Sequence, residues 1–313
     1  MPTKRCIFLF VYLLIVSSFC LGQHPSISTT DINNFWRAYD KLSTAQSKED
    51  SVTIIQTEYI DQATNHFKTF IRIRKFTAAE YVKIIGRYPQ FWNSVRPLTE
   101  NIVDRKNEIE GILKKFEREL PAFKIPDVCF AIGCLRTGGT TSGNLILIGS
   151  EIAAADKQVV KDELTPWLNS IIGNTGDIVS MVAHEAVHTR QKGRNTDLLV
   201  SVMNEGVADF VTELVTGLNI NSHIHEYGKA HACEIQNEFN EAVKQKSTDL
   251  KPWLYNGSSA GSRMHDLGYY IGYAIAESFY EKQTDKQKAL EWLLDKSKYK
   301  KIYELSDYSE GCN

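Results

Sequence analysis

The sequence predicts an α+β chain that is mostly helical, and three observations carry that expectation. Helical periodicity dominates residues 28–120; two short β-branched runs bounded by glycines follow; helical periods then resume near Thr165 and continue to the end. Taken in order, Thr30 or Asp31 is placed to cap a helix carrying Phe35, Trp36, Tyr39 and Leu42. Thr77 caps another with Tyr81, Ile84 and Ile85, ending near Gly86 and Pro89. Residues 99–120 read as one long amphipathic helix closed by Pro121, and nothing before residue 120 suggests chemistry. Residues 128–132 (VCFAI) and 145–148 (LILI) are expected strands, and the glycine-rich segment 136–144 between them is expected to be an irregular loop.

With 313 residues, 42% hydrophobic and 24% charged, the chain is long enough to bury a substantial core. Its net charge of −2 gives no electrostatic reason to expect nucleic acid or a membrane surface as partner. Residues 1–22 differ from the rest. Lys4 and Arg5 precede an apolar run from Cys6 to Val16, then the small-residue exit Cys20-Leu21-Gly22, the order of a secretory signal peptide with an apolar run too short to span a bilayer. Cleavage before Gln23 would leave residues 23–313 as one domain, with a helical part over 23–120 and the sheet and remaining helices over 121–313. The protein is therefore expected to be exported, to the periplasm or the medium, without stable membrane insertion. Lipidation at Cys20 is the alternative, disfavoured by bulky Phe19 beside it. Four cysteines would remain: Cys129, Cys134, Cys233 and Cys312. They permit two disulfides, Cys129–Cys134 being the nearest local pair, or four buried thiols.

The segment His184-Glu185-Ala186-Val187-His188 concentrates the chemistry. Two histidines at i and i+4 project from one helix face one turn apart, so both imidazoles can reach a single cation. Glu185 lies beside the first histidine, where it can meet a water without itself being a ligand. Asn174 or Thr175 is expected to cap this helix and Gly193 to end it. Most of residues 178–187 are apolar, so the helix is buried, and two histidines with a glutamate inside it need something to satisfy them. A second helix, Leu198 to Thr216, opens at Thr196 or Asp197 and closes at Gly217. It places Glu205 and Asp209 on one face, with Glu213 further along as a solvated charge. Glu205 completes a His₂Glu set for one zinc with a fourth position left for water. Asp209, one turn on, is placed to accept the far ring N–H of a ligand histidine.

These residues resemble the gluzincin clan of HExxH zinc metallopeptidases, which includes thermolysin and the neutral aminopeptidases. The resemblance implies a zincin-like fold, with a small sheet above the HExxH helix and a helical C-terminal part. It implies His184, His188 and Glu205 as metal ligands, Asp209 as support for a histidine, and Glu185 as catalytic base. More closely, the chain is similar to an uncharacterised family of predicted bacterial Zn-dependent proteases found in Bacteroidetes. The motifs behind that similarity are His188-Thr-Arg-Gln191, Glu205-Gly-Val-Ala-Asp-Phe210 and Asp266-Leu-Gly-Tyr-Tyr-Ile-Gly-Tyr273, and it runs from about residue 145 to residue 280. The His188–Glu205 gap is shorter than in thermolysin, which puts a thermolysin-like substrate pocket in doubt.

The expected activity is hydrolysis of peptide bonds in a peptide or protein substrate by metal-activated water. The oxyanion needs a further donor, for which residues 263–273 offer Arg263, His265, Tyr269 and Tyr270, Tyr270 being the single choice. There Asp266 is expected to cap a helix whose Gly268 and Gly272 cost about 1 kcal/mol each relative to alanine, so a neighbour must approach closely. Residues 145–148 are either the edge strand that takes extended substrate or an ordinary core strand. His223, His225 and His231 read as surface or packing histidines, and Asn256-Gly257-Ser258 as a turn. The alternative is a non-catalytic envelope protein that keeps the fold as an interaction module, though such a scaffold has no need of Glu185.

Overall fold

The computed structural model describes residues 25–173, 177–257 and 263–312; the expected signal peptide lies outside the described residues. The structure is mostly helical with one small sheet. Its first part stacks helices Thr30–Lys41, Lys48–Ile55, Asn65–Arg74, Ala78–Arg87, Pro89–Glu100 and Lys106–Glu119. Aromatic side chains fill the space between them: Phe35, Tyr59, Phe67, Tyr81 and Trp92 are fully buried, in edge-on and tilted contacts. Tyr59 and Tyr81 both donate to the carbonyl of Ile132, so this aromatic core is stitched to the end of a strand. Thr77 caps its helix as expected, accepting from the Glu80 amide.

Residues 99–120 are not one helix. Thr99 belongs to the preceding helix, where its hydroxyl accepts the Trp36 indole N–H at 2.9 Å and donates to the Arg96 carbonyl. A 3₁₀ stretch over Asn101–Arg105 then shifts the helical phase, burying Ile102 while leaving Val103 half exposed. The final helix begins at Lys106.

Four strands form the sheet: β1 (Ile27–Ser28), β2 (Asp127–Ala131), β3 (Gly139–Thr141) and β4 (Leu145–Gly149). Their order is β1-β2-β4-β3, with β2 parallel to β1 and β4, and β3 antiparallel to β4. One expectation is corrected here, and the choice between edge and core strand is decided. The glycine-rich loop contains a strand, because Gly143 at φ 61 turns the chain back and lets residues 139–141 pair with 146–148. That strand takes the edge, so residues 145–148 are interior and hydrogen-bonded on both sides.

The histidine helix (Ile178–Arg190) packs beneath β3 and β4 and against the glutamate helix (Leu198–Thr216). Asp177 caps the first, accepting from the Val179 and Ser180 amides, whereas Asn174 and Thr175 lie outside the described residues. The helix stops at Arg190, before Gly193. Asp197 caps the second, and Gly217 ends it at φ 78. The glycine helix (Gly268–Lys282) crosses the glutamate helix at closest approach. A Cβ on Gly206 would sit 2.1 Å from the Gly272 carbonyl carbon, and one on Gly272 2.2 Å from the Val202 oxygen, so Gly272 accommodates the glutamate helix, whereas Gly268 accommodates Trp253 and Leu254. Asp266 does not cap the glycine helix. It sits at φ 56 and its carboxylate accepts the Asn256 amide instead, and the helix starts after Leu267. Ser258 of the 256–258 segment lies outside the described residues.

The cysteine expectation is also overturned. Cys233 pairs with Cys312, while Cys129 and Cys134 are free and buried. Strand geometry separates the near pair: the Cys129 thiol faces Asp31, whereas Cys134, past the strand end at φ 59, is held beside Tyr81. Among the described residues no helix is long and apolar enough to cross a membrane.

Candidate metal centre

The i, i+4 spacing brings His184 and His188 together with Nε2 atoms 3.0 Å apart. Glu205 Oε2 lies 3.6 Å from the first and 3.3 Å from the second. All three ligand atoms fall within a 4.8 Å group that could hold a metal ion. A tetrahedral zinc site with bonds of about 2.0–2.1 Å has ligand–ligand edges of roughly 3.3–3.4 Å, which matches this triangle.

The hydrogen bonds behind the triangle say what it lacks. His184 Nδ1 lies 2.7 Å from Asp209 Oδ1, and a carboxylate can only accept, so Nδ1 carries a proton and Nε2 is the nitrogen left to bind a metal when the ring is neutral. His188 Nδ1 lies 2.6 Å from Gln191 Oε1. The Gln191 amide is oriented by donating from Nε2 to the Asn204 carbonyl at 2.8 Å and to the Tyr299 hydroxyl at 3.1 Å. Both Nε2 atoms and a carboxylate oxygen therefore converge at one point, an arrangement that positive charge satisfies, whether a metal ion or protons on the rings.

The electrostatics record the same need. Burial pushes His184 down, but Asp209 and Glu205 outweigh it and carry its pKa up to about 10. Burial would raise Glu205, yet His188 and His184 hold it well below the carboxylate range. Burial raises Glu185, which is only 7% exposed.

A cavity of about 490 Å³ opens over the triangle. Its wall includes Glu185, Gly139 and Thr140 of β3, and Tyr255, Tyr269, His223 and His265. A Cβ on Gly139 would meet Glu185 Oε1 at 2.4 Å, so edge strand and carboxylate are packed directly together. The structure thus brings His184, Glu185, His188, Glu205 and Asp209 to one place. It leaves Tyr270 out: that ring packs on Gly228 and does not line the cavity. The helical period explains the miss, since Tyr269, one position earlier, is the tyrosine that faces the cavity, its ring 6.2 Å from His184. Arg263, another candidate, pairs with Glu238 instead.

Other residues of the site escaped the sequence. His225, read as a packing or surface histidine, is buried with Nε2 3.1 Å from Asp209 Oδ2, and Asn221 donates to the same oxygen at 2.9 Å. Tyr255 donates to Glu205 Oε1 at 3.1 Å, and so does Asn204. Only Gln191 left a signal, three residues after His188 at the end of the histidine helix. The others are joined by the tertiary fold alone.

Residues 155–298 match the model of a family described as predicted Zn-dependent protease (DUF2268). No curated protein and no solved structure matches the chain. The matched span holds the His–His–Glu triangle, Glu185 and Asp209, while β3 and the N-terminal helices lie outside it. Over residues 155–298, then, the chain is similar to this family of predicted Zn-dependent proteases.

Proposed function

We propose that the protein is an exported zinc peptidase in which His184, His188 and Glu205 hold one zinc ion and Glu185 is the general base. The observation that carries this reading is the convergence of two histidine Nε2 atoms, each with its Nδ1 held by an oxygen, and a carboxylate beside a second carboxylate that is not a ligand. Zinc, when bound, supplies Lewis acidity toward a water molecule and the scissile carbonyl. Glu185, raised by burial, takes a proton from that water and returns it to the leaving amine. Asp209 and Gln191 hold a proton on each Nδ1 and aim both Nε2 atoms at the metal position. Tyr269, whose hydroxyl makes no hydrogen bond to a described residue, replaces Tyr270 as oxyanion donor. The free edge of β3, immediately above Glu185, is where an extended peptide adds as a further strand.

Glu185 distinguishes the enzyme from the scaffold reading. A structural metal site has no use for a buried glutamate that is not a ligand and raises the cost of the fold. Export is supported by the charged–apolar–small order of residues 4–22 and by the Cys233–Cys312 disulfide, which belongs to an oxidising compartment. The test is zinc content of the purified chain together with turnover of a quenched-peptide library. One zinc per chain with cleavage is expected. Zinc without cleavage of any member returns the scaffold.

A further inference from the structure

We propose that Arg74, contributed by the N-terminal helices, anchors a carboxylate of the substrate beside the scissile bond, so that the site prefers peptides presenting a C-terminal α-carboxylate or an acidic side chain at that subsite. The identity of the ligand as a peptide rests on the peptidase reading; the anion preference rests on the geometry.

Arg74 ends its helix, where Lys75 at φ 54 turns the chain away, and its side chain lines the cavity over the triangle. It donates from Nη2 to Thr137 Oγ1 at 3.2 Å, and Thr137 Oγ1 in turn donates to the Gly139 carbonyl at 2.6 Å. Gly139 lies against Glu185, so the guanidinium sits one short relay from the base and beside the free edge of β3. Three cations line this cavity. Arg136 is answered by Glu80 at 3.3 Å, and Lys296 donates to Asn195 Oδ1 at 2.9 Å. Arg74 forms no ion pair with a described residue, and its Nε is buried without an acceptor. A part-buried guanidinium with an orphaned N–H costs stability unless an anion completes it, and its planar fork matches a carboxylate. Burial presses hardest against its charge and Arg136 adds to that, while the nearby Glu185 carboxylate partly supports it without an ion pair; an arriving carboxylate would relieve the rest.

The test uses the full chain loaded with zinc in a Glu185→Gln background, so that peptides survive, and reads affinity by fluorescence anisotropy. One probe pair is a random hexapeptide pool as free acid and as C-terminal amide. The other is an amidated pool with a single interior Glu or Gln. A preference of roughly ten- to a hundredfold for the charged member is expected in one pair, and the pair that shows it identifies the source. Adding Arg74→Gln should bring that preference close to unity. Arg74→Lys should leave an intermediate value, and Arg72→Gln, on the exposed side of the same helix, the full one. Equal affinities in both pairs, absence of peptide binding, or a preference that survives Arg74→Gln would each overturn the proposal. Should Arg74→Gln fail to fold, the preference with Arg74 in place and its fall to an intermediate value in Arg74→Lys still decide. Turnover with Glu185 intact is a separate readout: preference without turnover sinks the peptidase reading alone, and turnover without preference sinks only the anchor.

Discussion

Replacing Gly139 by alanine puts a methyl group where the Glu185 carboxylate now lies. The new Cβ would stand 2.4 Å from Oε1 and 2.8 Å from Cδ and Cγ, whereas ordinary contact begins at 3.4 Å. The Glu185 side chain must therefore retreat by about 1 Å, which it can do by rotating, because no hydrogen bond to a described residue holds it. Stability should change little, since alanine in an extended edge strand also restricts the unfolded chain, an effect of about 0.4–1 kcal/mol in favour of the fold. Catalysis should suffer far more: a misplacement of about 1 Å at a reacting group costs on the order of a hundredfold in rate. The expected result is a variant with unchanged zinc content and melting temperature, and kcat/KM on a peptide substrate reduced by about a hundredfold. Undiminished kcat/KM would refute the placement of the base against β3. Loss of zinc would refute it as well, because neither Gly139 nor Glu185 is assigned to the metal.

Other substitutions separate the roles assigned to the site. Glu205→Ala should release zinc, as should alanine at His184 or His188; retention at undiminished affinity, read by chelator competition, would place the third ligand elsewhere. Glu185→Gln should bind zinc and fold but lose most hydrolysis. With Glu185 intact, kcat/KM should fall as pH drops through a pKa above that of an ordinary glutamate, because burial raises this carboxyl and only its ionised form is a base. Asp209→Ala should weaken zinc binding roughly ten- to a hundredfold without removing a ligand, and unaltered affinity would make it a bystander. Tyr269→Phe should lower kcat by roughly a hundred- to a thousandfold with KM nearly constant, and Tyr270→Phe should not; the reverse order would restore Tyr270 as donor.

The parts of the site that were legible in the sequence share one property: they lie on one helix at helical spacing. His184, Glu185 and His188 are positioned by the 3.6-residue period alone, and Glu205 and Asp209 by the same period on the next helix. Where tertiary contacts decide, the reading failed. Tyr269 and Tyr270 differ by one position on a helix that is apolar nearly all round, so no polarity pattern says which faces the cavity. The edge position of β3 depended on a turn at Gly143, and three residues of alternating small side chains leave too little pattern to announce a strand. His225, Asn221 and Arg74 arrive from separate segments with no local periodic signal. Cys129 and Cys134 show that nearness in sequence is weak guidance for bonding, since a strand end can send two close side chains to different neighbours.

The two histidines are supported unequally, and the charges of the site explain why. Asp209 gives His184 a full negative charge, one oxygen on the imidazole and the other on Asn221 and His225. It is 2% exposed, and an unpaired carboxylate buried so deeply would be strongly destabilising. Gln191 gives His188 the same geometry with a neutral oxygen. Glu205 and Asp209 together carry two negative charges, which a single divalent cation would offset, and Glu185 when ionised adds a third. A carboxylate in place of Gln191 would add a further, surplus negative charge to a buried site. That surplus would fall near Glu185, whose proton affinity burial already raises, and would bind its proton more firmly still. On the peptidase reading proposed here, a neutral support for His188 would keep Glu185 able both to accept a proton from water and to return it.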